Sequence, residues 1–305
     1  MKKISFVSHS QINKSKWDYC MNKSINRSVY GISWYLDIVS ENWDALIYGD
    51  YELIIPVTSK KYTSFFPFIK HLSQPLFCQQ LGAFSSNENL LTDSKLIMSI
   101  LSFFKKRYYN LGYSFNHHTS IVYKNCIINN QLTFKYIDRI NLELDLQLDY
   151  DKIFKEYHKN TKRNINKNFS HKIKSIKNVS FFVNFLKKNL PKNVLLKTKD
   201  YKTIYNIISI SILKCCGKCL GLYNDKDELL AGVFFLTLYD RHILLFNASF
   251  KDNSQYNYMA FLIDFFIKQH AFKNEFLDFE GSNIKGVKRF YKSFGAVEKN
   301  YLHIK

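Results

Sequence analysis

Apolar residues recur along this chain with two periods, and the period changes from one stretch to the next. Leu96, Ile97, Ile100, Leu101, Phe103, Phe104 and Tyr108 fall at helical spacing over 94–108. Phe261, Leu262, Phe265 and Phe266 do the same over 258–271. Further helices are expected over 12–25, 150–168 and 203–214. Short apolar or alternating runs predict strands at 43–48 and 51–58 around Gly49-Asp50, and at 113–122, 132–146 and 297–304. Three more strands are expected in succession at 219–223, 229–239 and 242–249, with Asn224-Asp225-Lys226-Asp227 and Asp240-Arg241 as turns.

The rest of the pattern converges on residues 274–296, which read strand, turn, helix, turn. Phe276, Leu277 and Phe279 surround Asp278 in a run suited to a buried strand. Gly281-Ser282-Asn283 breaks that run, and Asn283 is a candidate cap for the next helix. Val287, Phe290, Tyr291 and Phe294 then share a helix face, and Gly295 stands where a helix C-cap belongs. Strand alternation places Asp278 and Glu280 on one face, at the strand end where open α/β sheets bind ligands. The order of elements in the second half repeats, less clearly, in the first. The chain is therefore expected to be α/β (α+β) with two tandem domains, residues 1–140 and 141–305. Each would be a mixed, mostly antiparallel sheet flanked by helices.

Composition narrows the classes. Among 305 residues, 46% are hydrophobic and 17% aromatic, which supports dense cores and excludes a disordered chain. The formal net charge of +19 favours an anionic partner: nucleic acid, a nucleotide-linked substrate or an anionic membrane surface. A Lys-rich composition bias gives the same charge without any partner. The basic stretch 150–168, with Lys162 and Arg163, suits phosphates for the same reason, or is simply a solvated face. The six cysteines form no disulfide framework, and Cys216-x-x-Cys219 lacks the second pair that a zinc site needs. His117 and His118, read within a strand, point to opposite faces, and they and His158 lack an acid at ligand spacing. No metal is expected. The N-terminal stretch has no apolar core of signal-peptide length, and the longest uncharged apolar run is too short to span a bilayer. A cytoplasmic location is expected, with the inner face of the membrane as an alternative.

Three stretches together resemble a known superfamily: Ser33-Trp34-Tyr35-Leu36-Asp37, Gln79-Gln80-Leu81-Gly82-Ala83-Phe84, and Asp278-Phe279-Glu280-Gly281-Ser282 with Phe290-Tyr291-Lys292-Ser293-Phe294-Gly295-Ala296. The chain is similar to GNAT acyltransferases, and its tandem arrangement to the FemABX-type aminoacyltransferases. The resemblance is firmest from about residue 149 onward. It implies transfer of an acyl group from acyl-CoA (acetyl-CoA) to an amine, with a cell-envelope or polysaccharide precursor as a candidate acceptor, nucleotide- or lipid-linked. It implies a pyrophosphate site at the N-terminus of the 258–271 helix, made by Asn253, Ser254, Gln255, Tyr256 and Asn257, with Asn283 nearby. Gln255 and Ala260 match the ends of the superfamily's Q/R-x-x-G-x-G/A pattern, whereas Tyr258 stands in place of its central glycine. Tyr291 matches the tyrosine that protonates the leaving thiolate, and Asp278 and Glu280 are candidates for deprotonating the amine. Competing structural readings have Tyr291 packing with Phe290 and Phe294, and the acids capping a turn or pairing with Lys285. Gln79, Gln80, Trp34, Tyr35, Asp37, Lys162 and Arg163 are the candidate substrate-binding residues. In the aminoacyltransferase branch the donor is aminoacyl-tRNA, and Tyr291 stands where that branch has lysine. A third reading keeps the fold as a non-catalytic module that binds an anionic polymer.

Overall fold

The computed structural model describes residues 2–61, 69–167, 170–191, 194–250, 256–281 and 284–305. It divides into two units, Met1–Ile140 with Asn300–Lys305, and Asn141–Lys299.

In the first unit the order is β1 (Ile4–Val7), α1 (Lys14–Lys23), α2 (Ser33–Val39), β2 (Asp44–Tyr48), β3 (Leu53–Val57), β4 (Ser59–Lys61), β5 (Lys70–Ser73), β6 (Phe84–Ser85), α3 (Glu88–Thr92), α4 (Ser94–Arg107), β7 (Asn110–Ser114), α5 (His117–Asn129) and the start of β8 (Tyr136–Asp145). One sheet runs β1-β2-β3-β6, all antiparallel. The Gly49-Asp50 turn joins β2 and β3 as expected. Trp17 and Trp43 pack at 4.7 Å in the core beside this sheet, both fully buried. The Tyr113 hydroxyl donates to Pro56 O at 2.7 Å and accepts from Gly82 N at 3.0 Å, so β7 is tied to β3 by a satisfied buried phenol.

The second unit continues with the end of β8, then α6 (Tyr150–Lys155), α7 (Lys159–Ile165), β9 (Lys172–Ser175), α8 (Val179–Asn189), α9 (Thr198–Leu213), β10 (Gly217–Tyr223), β11 (Leu229–Leu238), β12 (Arg241–Ser249), α10 (Tyr258–His270), β13 (Phe276–Gly281), α11 (Lys285–Lys292) and the start of β14 (Val297–Ile304). Its strand order is β9-β10-β11-β12-β13-β8. Every pair is antiparallel except β12 with β13. β11 is apolar along its buried length because helices cover it: Phe235 stacks on Phe266 of α10 at 3.7 Å. Burying one such ring contributes roughly 1.5–3 kcal/mol.

The structure departs from the sequence pattern in several places. The single helix expected over 150–168 is two, because His158 is extended and its N–H donates to Ser293 O at 2.9 Å. The strand expected over 113–122 ends at Ser114. Asn116 caps a helix there instead, accepting from Thr119 N at 3.0 Å. His117 and His118 therefore lie in the first turn of α5. His118 does have an acid, Glu88 at 2.8 Å, supplied by α3 rather than by its own neighbourhood in sequence.

Candidate functional site

The parallel pair β12–β13 is the feature that creates a site. Its ladder runs from Arg241↔Phe276 to Ile243↔Asp278, with no later rung among the described residues. Asn247 on β12 and Glu280 on β13 both lie beyond that last rung. α11 brings Tyr291 back over this end, where its ring stacks on Phe279 at 4.8 Å and 22°. Asn247 Nδ2 donates to the Tyr291 hydroxyl oxygen at 3.2 Å. That geometry leaves the phenolic hydrogen free to point at another acceptor. Burial pushes the phenol up to about 12, opposed by the Asn247 hydrogen bond and reinforced by the charge of nearby Glu280. Tyr291 is therefore a protonated donor at neutral pH.

Glu280 has φ of +56°, and the three steps of β13 from Asp278 to Gly281 oppose two steps of β8, from Glu143 to Asn141. This is a bulge, and a non-glycine residue held at positive φ is strained. The bulge breaks the alternation that would have put Asp278 and Glu280 on one face. Asp278 alternates with Phe279, so it lies on the sheet face away from Tyr291. There it accepts from Arg241 Nη1 at 2.8 Å, and Arg241 also reaches Glu143 at 2.9 Å. Asn141 Nδ2 donates to Glu143 at 3.1 Å, and Glu280 N donates to Asp278 Oδ1 at 2.8 Å. Burial raises the Asp278 pKa, Arg241 opposes that shift, and Glu143 adds to it. The structure thus brings Glu280 and Tyr291 together and gives Asp278 to a buried ion-pair network.

A second feature lies in the same unit. A cleft of about 690 Å³ opens between α7 and α11 at the start of α10, lined among others by His158, Lys159, Asn164, Asn257 and Arg289. Its walls are seamed by Thr161 Oγ1 donating to Ser293 Oγ at 2.7 Å. Asn257 caps α10, accepting from Ala260 N at 3.2 Å. Tyr256 is half-buried beside it, with Lys167 Nζ 5.7 Å from its ring. Lys285, Lys288 and Lys292 continue the basic face along α11, the last two sharing Glu298 at 2.8 and 2.9 Å. Of the basic helix residues singled out in sequence, Lys162 donates to Lys155 O at 2.7 Å and Arg163 is exposed. Asn253, Ser254, Gln255 and Asn283 lie outside the described residues.

The first-unit candidates have partners of their own there. Gln80 Oε1 accepts from His117 N at 2.7 Å, and its amide donates to Gln79 Oε1 at 2.5 Å. The Tyr35 hydroxyl donates to Phe77 O, with Trp34 edge-on to the Tyr35 ring at 5.6 Å. Asp37 accepts from Lys14 at 2.7 Å and from Trp43 Nε1 at 3.0 Å. Sequence reasoning missed Asn247 and Arg289. Asn247 could have been found, as a lone amide in the apolar run Ile243–Ala248. Arg289 carried no such signal.

No family model matches the chain, and no curated protein matches it in sequence. Solved structures do match in fold. FemX superposes with a TM-score of 0.66 at 11% identity, over 99% of this chain and 97% of its own. The C-terminal domain of a candidate lysylphosphatidylglycerol synthetase from Agrobacterium fabrum gives 0.56 at 9% identity, over 95% and 91%. L-PGS from Bacillus licheniformis gives 0.53 at 8% identity, over 95% and 90%. The resemblance to FemX holds at the level of fold, and the fold class is the expected mixed, mostly antiparallel α/β arrangement.

Proposed function

We propose that the second unit catalyses transfer of an acyl or aminoacyl group to an amine, at the splayed end of β12 and β13. The observation that carries this reading is the buried Tyr291 phenol, held by Asn247 with its own proton free and Glu280 close by. The amine nitrogen attacks the carbonyl carbon of the donor and forms the new C–N bond. The C–S bond of a thioester, or the C–O bond of an aminoacyl ester, breaks. Tyr291 gives its proton to the departing sulfur or oxygen, and Glu280 takes the proton lost by the amine, directly or through water. Proton return from Glu280 to Tyr291 through solvent restores the site.

Both donors carry phosphates, and the basic cleft at the α10 N-terminus, with Lys159, Arg289 and Asn257, suits them. One departure favours aminoacyl-tRNA over acyl-CoA. Tyr258 stands at the position of the superfamily's pyrophosphate-loop glycine with its ring in the unit's core, so the loop lacks the backbone freedom that glycine gives. The full-length fold match to FemX, and to a protein named for making lysylphosphatidylglycerol, supports the same choice. The acceptor on this reading is an amine on a nucleotide- or lipid-linked envelope or polysaccharide precursor. No helix among the described residues is long and apolar enough to cross a membrane.

The test offers the purified chain acetyl-CoA in one arm and aminoacyl-tRNA in the other, with the same panel of amines. Free thiol or deacylated tRNA is the readout. Tyr291→Phe keeps the ring stack and Glu280→Gln keeps the volume. Each is expected to lower turnover by about 10²-fold or more with donor binding retained. Parental rates in both variants would place the centre elsewhere. Salt-sensitive polyanion binding with no turnover in either arm would favour the non-catalytic reading.

A further inference from the structure

At the other end of the same strands, three metal-ligating side chains converge. His242 is the second residue of β12, His270 the last of α10, and Glu275 immediately precedes β13. Phe272, at φ of +64°, turns the chain between α10 and β13, so Glu275 returns beneath the two imidazoles. Glu275 Oε2 lies 2.8 Å from His242 Nε2 and 3.1 Å from His270 Nδ1, and the three ligand atoms lie within 4.8 Å of one another. The imidazole centroids are 4.2 Å apart at 65°. A tetrahedral ion with bonds of about 2.0–2.1 Å sets its ligand atoms roughly 3.3 Å apart, so Glu275 Oε2 needs to move from each imidazole nitrogen by only a few tenths of an ångström.

We propose that His242, His270 and Glu275 form a binding site for a divalent transition-metal ion of the zinc type. The surrounding shell is already built. Thr237 Oγ1 lies 2.7 Å from His242 Nδ1, and with that nitrogen protonated the hydroxyl accepts its hydrogen and leaves the Nε2 lone pair for the metal. Phe266 fixes both rings, stacked on His270 at 4.2 Å and edge-on to His242 at 5.1 Å. His242 is buried, whereas His270 and Glu275 are partly exposed, which provides an entry path and a fourth position for water. Two imidazoles and one carboxylate suit zinc, cobalt, nickel or copper, not magnesium or calcium, which take oxygen ligands. Lys218 and Lys273 bear on His242 with positive charge, so a cation held by electrostatics alone is disfavoured and coordinate bonds to nitrogen have to supply the affinity. A bound ion would pin the end of α10 to the starts of β12 and β13, remote from Asn247 and Glu280 along the strands.

The experiment titrates the intact, chelator-treated chain with Zn²⁺ alone by equilibrium dialysis, and follows thermal unfolding with and without the ion. One ion per chain and a raised unfolding midpoint are expected. His270→Ala and Glu275→Gln should each weaken binding at least about tenfold and remove the midpoint shift. Both residues are partly exposed, so these variants report on binding even where His242→Ala fails to fold. A parallel Co²⁺ titration should give a visible spectrum without sulfur-to-metal charge transfer. Sub-stoichiometric Zn²⁺, unchanged affinity in both variants, or a thiolate band from the free cysteines would overturn the assignment.

Discussion

Asp278 and Tyr291 stand on neighbouring elements and carry opposite kinds of burden. The Asp278 carboxylate is buried, and Arg241 and the Glu280 N–H hold its two oxygens. Asp278→Asn removes the charge that faces Arg241 while leaving Glu143 in place. We expect a loss of about 1.5–3 kcal/mol, read from the urea midpoint. Turnover per folded molecule should stay near parental, the reverse of what Tyr291→Phe should do. An apolar run around one acid was enough to single out Asp278 from the sequence. Its partner was not legible, because Arg241 lies 37 residues away and is brought alongside only by the parallel pairing of β12 and β13. Glu280 was legible as a candidate for the wrong geometric reason. Period-2 alternation put it on the face of Asp278, whereas the bulge at φ of +56° breaks that alternation and its charge bears on Tyr291.

Most helices and strands of the second unit follow the expected spans within a few residues, because their apolar periods are strong. The misses differ in cause. α8 and β9 were not anticipated: β9 is short and mostly Lys and Ser, whereas α8, whose apolar face covers β11 and β12, carried a signal that went unread in its Asn178 cap and its closing lysines. The break between α6 and α7 depends on a hydrogen bond to Ser293, which no local pattern encodes. The turn after α11 is the opposite case. Gly295 was expected as a C-cap, and its φ of +84° needs a residue without Cβ. A Cβ there would also stand 3.0 Å from Glu156 Cβ. Gly295→Ala should therefore cost about 1–2 kcal/mol, measurable by thermal or chemical denaturation. Because this turn ends the helix that carries Tyr291, a fall in turnover should accompany the fall in stability.

At the scale of the whole molecule, a buried histidine adds an acid limit to stability. His303 is buried in the first unit, with Ser114 Oγ 2.9 Å from Nδ1. Burial, helped by Arg139 and Lys305, lowers its pKa from 6.5 to about 4. The unfolded chain therefore takes up a proton at His303 between pH 6.5 and 4 that the folded chain refuses. The contribution is complete above pH 6.5 and is lost as pH falls toward 4, by roughly 3 kcal/mol at most. His303→Gln should flatten that limb of the stability–pH curve, with urea midpoints at pH 7 and 5 as the check. His303 belongs to the Asn300–Lys305 segment, which groups with the first unit although all of the second unit precedes it in the chain. There Leu302 O accepts from Phe115 N at 2.8 Å, and His303 and Ile304 pair with Ser114 and Tyr113 on β7. During translation, then, a ribosome finishes the whole second unit before it makes the strand that completes the first. Until that strand arrives, β7 in the nascent chain offers an open edge to any other strand that meets it.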